Sequence, residues 1–193
     1  VIATALGTLA ALGLSRPHMP YKGLIMAILI SPMIVPLIIT AAGMFFFYAR
    51  INLVYTFTGV ILAHVALATP FVVITVTATL VGFDMNMVKA AQSLGAKPMR
   101  TFFKVIMPLI LPGIISGALF AFITSFDEVV IVMFMASIDQ LTIPKQMWAG
   151  IRQEISPVIL CMATCLVILS IVLLTTVELL RRRAERLRGI KAR

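Results

Sequence analysis

Charge is what this chain has least of. Only 12% of its 193 residues are Asp, Glu, Lys or Arg, while 61% are hydrophobic. Soluble domains carry about 25% charged and about 45–50% apolar residues. An ionised side chain at the centre of a bilayer costs at least about 2.5–3.5 kcal/mol, so this deficit, with a mean hydropathy of +1.11, points to lipid as the solvent. Cysteine is equally scarce. Cys161 and Cys165 stand four apart in an apolar run, share a helix face and read as packing residues rather than a disulfide or metal set. His18, placed in a loop, and His64, placed in a span, belong to no metal-ligand or Ser-His-Asp pattern. A GxxxxGK phosphate loop is missing as well, so the chain carries no nucleotide-hydrolysing signature of its own.

What is present is a series of charge-free windows, at residues 1–15, 23–49, 51–83, 105–126 and 155–177. A transmembrane helix needs about 20 residues, and four of the windows meet that length. The first is shorter and opens in mid-hydrophobic run at Val1, which reads as the tail of a helix in a chain truncated at its N-terminus. The expectation is four complete spans and one partial span, all helical. Basic residues then orient them. Thirteen of the sixteen fall on one side: Arg16, Lys22, Lys89, Lys97, Arg100, Lys104 and the seven in RRRAERLRGIKAR. Only Arg50, Lys145 and Arg152 fall on the other. The positive-inside rule places the basic side, with the C-terminus, in the cytoplasm. The net charge of +9 is thus mainly a topological signal, not a mark of nucleic-acid binding.

Prolines punctuate the spans. Pro32 and Pro36 interrupt the second window and Pro70 the third. Each removes a backbone hydrogen bond and is expected to kink its helix, as a packing bend or as a hinge. The polar stretch AAQSLGAKPMRTFFKVIMPLILPG, residues 90–113, separates two apolar spans. Its residues predict a short helix over 84–94, started by Asp84 at the positive helix end. Gly95 suits the left-handed stop and Pro98 forbids continuation. A second short helix begins at Pro98, with Met99, Phe102, Phe103 and Ile106 as apolar contacts and Arg100 and Lys104 pointing elsewhere. Ala90, Ala91 and Gly95 form a small-residue face open to close approach, so the stretch reads as a docking element.

These residues resemble the EAA loop of the membrane subunits of binding-protein-dependent ABC importers. That pattern is Glu-Ala-Ala, three residues, Gly, nine residues, Ile, one residue, Leu-Pro. Here Lys89-Ala90-Ala91, Gly95, Val105, Met107 and Pro108 occupy it. Lys89 departs from the Glu and removes any specific salt bridge expected from that position, leaving the small-residue surface intact. LAHVALATPFVV, SFDE and LTIPKQMWAGIRQEISP are similar to the spermidine/putrescine-type subgroup, its second permease subunit in particular.

The resemblance implies an all-α integral membrane protein, a multi-helix bundle of the ABC importer permease type with cytoplasmic coupling helices. Residues 1–180 would form the transmembrane domain, with the coupling loop at about 84–108, and residues 181–193 a basic cytoplasmic tail. The chain would be a transport subunit of the bacterial inner membrane and not an enzyme. It would bind no cofactor directly, since ATP would be used by a cytoplasmic ATPase homodimer. The other partners would be a second permease subunit, an extracytoplasmic solute-binding protein and the lipid bilayer, with no nucleic acid. Lys89, Ala90, Ala91, Gly95, Ala96, Pro98, Arg100, Phe102 and Pro108 would dock the ATPase, and the solute would be a polyamine or related amine.

Asp127 and Glu128 are adjacent acids in an otherwise apolar run. Intramembrane acids are candidates for function because lipid exposure is expensive, and on a helix adjacent positions point about 100° apart. One reading is contact with a cationic solute, Asp127 before Glu128; the other is a hydrogen-bonded pair that fixes helix packing. In the outer loop, Pro144 followed by KQMWAGIRQE predicts a short interfacial helix with Trp148 at headgroup level. That helix serves as a surface anchor, or as a gate or contact for the binding protein, which makes Trp148 a third candidate in the solute path. A secondary transporter without an ATPase partner is the alternative class. It would bring a central ionisable cluster and more spans; a membrane enzyme would bring several convergent polar groups, where only Asp127, Glu128 and His64 qualify.

Overall fold

The computed structural model describes residues 1–16, 19–81, 84–153 and 156–187, and every regular element among them is helical. In chain order these are α1 (Ile2–Leu14), α2 (Lys22–Ile34), α3 (Leu37–Arg50), α4 (Phe57–Val81), α5 (Met85–Ser93) and α6 (Pro98–Thr101). A π-helical turn (Phe102–Ile106) follows, then α7 (Met107–Phe126), α8 (Val130–Met135), α9 (Ile143–Gln153) and α10 (Pro157–Leu187). His18 and the last six residues of the basic tail, 188–193, lie outside the described residues.

Helix α4 is the hub. One of its faces puts Ala68, Val72 and Val76 into a core with Ala3 and Ala11 of α1 and Ile110 and Ala121 of α7. Another puts Ala63 and Leu67 into a second core with Ala41 of α3 and Ile131 and Met135 of α8. In lipid the hydrophobic effect does not drive helices together, so association rests on close packing of small residues. The α4–α7 contact shows this. A Cβ on Gly117 would lie 2.9 Å from the Val72 Cα and against the Thr75 hydroxyl, and one on Gly113 would meet Thr79. Three of the α4 threonines are quieted by their own helix: Thr69, Thr75 and Thr79 donate to the carbonyls of Val65, Phe71 and Thr75 at 2.6, 2.9 and 2.9 Å. No hydroxyl proton among these three is left facing hydrocarbon.

The prolines act unequally. Pro70 sits inside α4, which runs on as one helix, and Pro32 likewise sits inside α2. At Pro36 the expected single kinked span is broken, with α2 and α3 meeting at 108°. The cause is local: the residue before a proline is driven out of the helical region, and Val35 is extended at φ −71°, ψ 135°. Among the described residues, three helical segments are long and apolar enough to cross a bilayer, 57–81, 98–126 and 157–176, and the bent α2–α3 pair is a fourth candidate.

At the end of the bundle where α3 meets α4, the turn carries two left-handed residues, Asn52 and Tyr55. It is stapled to the end of α8 and the segment after it. Tyr55 N–H donates to the Met135 carbonyl at 2.9 Å and the Gln140 side chain donates to the Tyr55 carbonyl at 3.2 Å. Lys145 Nζ reaches the Ala136 carbonyl at 3.3 Å, tying α9 to the same seam.

Candidate functional site

From Asp84 to Pro98 the chain turns as its residues predict. Asp84 accepts from Asn86 N–H at 2.9 Å and caps α5. Gly95 has φ +80°, and the two hydrogen bonds that close the helix follow from it: Gly95 N–H to the Gln92 carbonyl at 2.9 Å and Ala96 N–H to the Ala91 carbonyl at 3.0 Å. That pairing is the Schellman stop, open to glycine because it has no Cβ. Lys97, extended before Pro98, turns the chain into α6.

The outcome is an elbow with a bare outer surface. Lys89, Ala90, Pro98 and Arg100 are exposed, Ala91 and Ala96 half-buried, and nothing lies within 4 Å of where a Gly95 side chain would start. Leu94 is 88% exposed and Met99 69%, which is costly for apolar groups facing water and suits a surface that another protein covers. Phe102 and Phe103 meet edge to face at 5.0 Å and then part company: Phe103 is exposed, whereas Phe102 turns inward. Ile106 packs on the core of α1, α4 and α7. The second short helix is not separate from the next span. A π turn joins α6 to α7, and Pro108, half-buried in the first turn of α7, interrupts nothing.

At the other end of α7 the two acids part. The helix stops at Phe126, so Asp127 and Glu128 occupy the break before α8 rather than a continuous helix. Asp127 is exposed and lines a cavity of about 320 Å³ with Phe122, Ile123 and Phe126 of α7, Pro144 of α9 and the middle of α10. Glu128 is only 6% exposed, and its Oε1 accepts from Ile131 N–H at 2.7 Å. The neighbours Ile131 and Met135 are wholly buried, so this carboxylate holds the start of α8 inside the protein. Trp148 is half-exposed on α9, in the predicted helix, apart from the cavities that meet at Phe122.

A polar contact that spacing could not reveal joins α4 to α7. His64 Nδ1 lies 2.9 Å from Ser125 Oγ, across 61 positions of sequence. Both line a cavity of about 280 Å³ with Thr4 and Ala68, Ala118 and Ala121. Ser125 also faces a third cavity, of about 240 Å³, with Thr142 and Pro144. His64 and Ser125 thus join Asp127 as the polar groups turned toward open space at this end of α7.

A helical bundle with apolar spans, a capped elbow at one end and cavities bearing His64, Ser125 and Asp127 at the other fits a class, the membrane subunit of a solute transport system. The chain matches the family described as "Binding-protein-dependent transport system inner membrane component" over residues 3–186, and it belongs to that family. It is a permease subunit of the ABC type, a transport protein of the membrane rather than a catalyst. Among its relatives is the spermidine/putrescine transport system permease protein PotC of Haemophilus influenzae, 30% identical over 182 residues, which are 94% of this chain and 71% of that protein. PotC of Escherichia coli K12 is 30% identical over 180 residues, covering 93% and 68%. The putrescine transport system permease protein PotI of the same strain is 37% identical over 103 residues, 53% of this chain and 37% of PotI.

Proposed function

We propose that this permease forms, with a second permease subunit, the path by which a polyamine or related small amine crosses the inner membrane. An extracytoplasmic binding protein delivers the solute, and a cytoplasmic ATPase homodimer supplies the energy. The observation that carries the coupling is the elbow at 84–108, where an unfilled small-residue surface sits beside exposed Leu94, Met99 and Phe103. Lys89, Ala90, Ala91, Gly95, Ala96, Pro98 and Arg100 form the docking face. Phe102 and Pro108 connect it to α7. The elbow and the basic tail from residue 181 face the cytoplasm, in line with the positive-inside rule. The tail begins within α10, which continues to Leu187.

The amine reading rests on Asp127 at an open cavity and on the solutes in the relatives' names, spermidine and putrescine. An exposed carboxylate at the mouth of an apolar path attracts an ammonium group and repels anions. The test is reconstitution with ATPase, second permease and binding protein. Putrescine-loaded binding protein is expected to stimulate ATP hydrolysis. Ala90→Trp, on the exposed elbow, is expected to weaken ATPase association by about thirtyfold, the effect of losing a contact hot spot, without unfolding the subunit. Wild-type association left intact by Ala90→Trp would sink the docking role, and stimulation by a non-amine solute alone would sink the amine.

A further inference from the structure

All the cavities described along α7 meet at one side chain. Phe122 lines the 280 Å³ cavity with His64 and Ser125, the 320 Å³ cavity with Asp127, and the 240 Å³ cavity with Ser125 and Thr142. It also lines a fourth and larger space of about 710 Å³, a groove between α1 and α7 that descends past Thr4 and Thr8 to Met107 and Phe102. The first three gather the polar groups at the end of α7 nearest the acids. The fourth is walled mostly by apolar side chains and ends at the elbow. Thr8 is a buried exception there, with a hydroxyl that has no hydrogen-bond partner in the protein.

The Phe122 ring stacks on Phe126, with centroids 5.4 Å apart and planes at 23°. It is nonetheless 45% exposed, so one ring face or edge remains free toward the cavities. The small residues Ala118 and Ala121, beside it on α7, leave the space around it open. A bulky, partly free ring thus stands where the His64–Ser125 cavity, the largely apolar cavity of Asp127 and the long apolar groove adjoin.

We infer that Phe122 is the selectivity residue of this subunit's solute path, the ring across which a solute must pass between the neighbouring cavities of Asp127 and of Ser125 and His64 and the α1–α7 groove. The inference rests on the amine reading above and specifies its chemistry. A slender chain of methylenes with terminal ammonium groups satisfies each part in turn. Its ammonium is held by the Asp127 carboxylate and hydroxyl oxygens, then passes the electron-rich ring face, while its methylenes contact the apolar groove. A branched amine of the same charge meets the same acid and is stopped by the ring. Charge is selected at Asp127, width at Phe122.

The experiment uses the reconstituted four-component transporter and labelled putrescine, with a branched diamine as competitor. Phe122→Ala is expected to lose about tenfold of the discrimination against the branched diamine. Phe122→Tyr is expected to retain it. Phe120→Ala is the control, since Phe120 stacks on Phe71 instead, at 6.4 Å, and should keep full discrimination. Wild-type transporter that takes up no putrescine would overturn the amine reading. Normal wild-type uptake with undiminished discrimination in Phe122→Ala would overturn the role of Phe122 alone. If Phe122→Ala does not assemble, Phe122→Cys is read by a small thiol reagent in a Cys161→Ala/Cys165→Ala background. Labelling that differs between resting and vanadate-trapped states supports the inference, and labelling that is identical or absent in both overturns it.

Discussion

Helices α4 and α10 are both long enough to cross a bilayer, and the more hydrophobic of the two is the less buried. The apolar part of α10 has a mean hydropathy of 2.9 and none of it is buried within the chain, whereas α4 has 2.2 and is 44% buried. In water the order would be reversed, because apolar surface drives burial there. In lipid, apolar surface is already satisfied, and helix contacts form where small residues let backbones approach. Helix α4 brings Ala63, Ala68, Thr75 and Thr79 to its neighbours, and α7 answers with Gly113 and Gly117. Helix α10 presents Ile168 and Val172 outward. Cys161 and Cys165, expected to pack, are exposed on this same helix. Hydropathy marks the solvent of a helix; small residues mark its neighbours.

The contrast is broken most forcefully at Gly117. Valine there would press on the Val72 backbone and the Thr75 hydroxyl, and α4 cannot retreat because its other face holds the α3–α8 core. Gly117→Val is expected to cost about 3 kcal/mol, the upper end for overpacking, and to abolish recovery of folded subunit. The measurement is monodispersity and thermal unfolding in detergent. Recovery equal to wild type would show that α4 and α7 are not closely locked.

The next effect separates two adjacent acids. Glu128→Ala removes the acceptor for the Ile131 N–H inside the protein, expected to destabilise by about 2 kcal/mol, the scale of a hydrogen bond to a charged group. Asp127→Asn, at an exposed position, is expected to shift stability by less than about 0.5 kcal/mol while lowering amine transport. Thermal unfolding paired with uptake distinguishes them. If Asp127→Asn unfolds the subunit and Glu128→Ala does not, the division of labour between the acids is inverted.

How far residues alone carry an argument differs between the two ends of α7. The elbow was legible because its determinants are local: Asp84 caps within two residues, Gly95 takes φ +80°, and Pro98 sets the residue before it. The helix at Ile143–Gln153 was legible for the same reason, starting beside Pro144. The break at Pro36 was half legible, since proline marks the place of a bend but the 108° angle depends on what α3 packs against. The polar end of α7 was least legible. Periodicity put Asp127 and Glu128 about 100° apart on one helix, but α7 ends at Phe126 and the acids diverge by entering a cavity and a core. His64 and Ser125 meet only because the small-residue contact of α4 and α7 sets their register, and no local signal reports it. Two isolated polar residues in apolar spans, each needing a partner in lipid, were the one available hint.

The smallest effect tests what α10 faces. Ile168 and Val172 stand four apart, so they share one stripe of the helix, and both are exposed, at 56% and 54%. With lipid on that stripe, alanine substitution exchanges one apolar surface for another, and the isolated subunit should change by less than about 0.5 kcal/mol. The same change in a surface covered by the second permease would remove packing contacts that exist only in the assembled pair. Ile168→Ala/Val172→Ala is therefore expected to leave thermal unfolding of the isolated subunit unchanged, and the comparison is sharpened by repeating the measurement on the assembled transporter. A shift confined to the assembly assigns this stripe to the permease interface, and no shift in either assigns it to lipid. A shift in the isolated subunit would contradict the contrast itself, because it would mean that α10 is packed within the chain as α4 is.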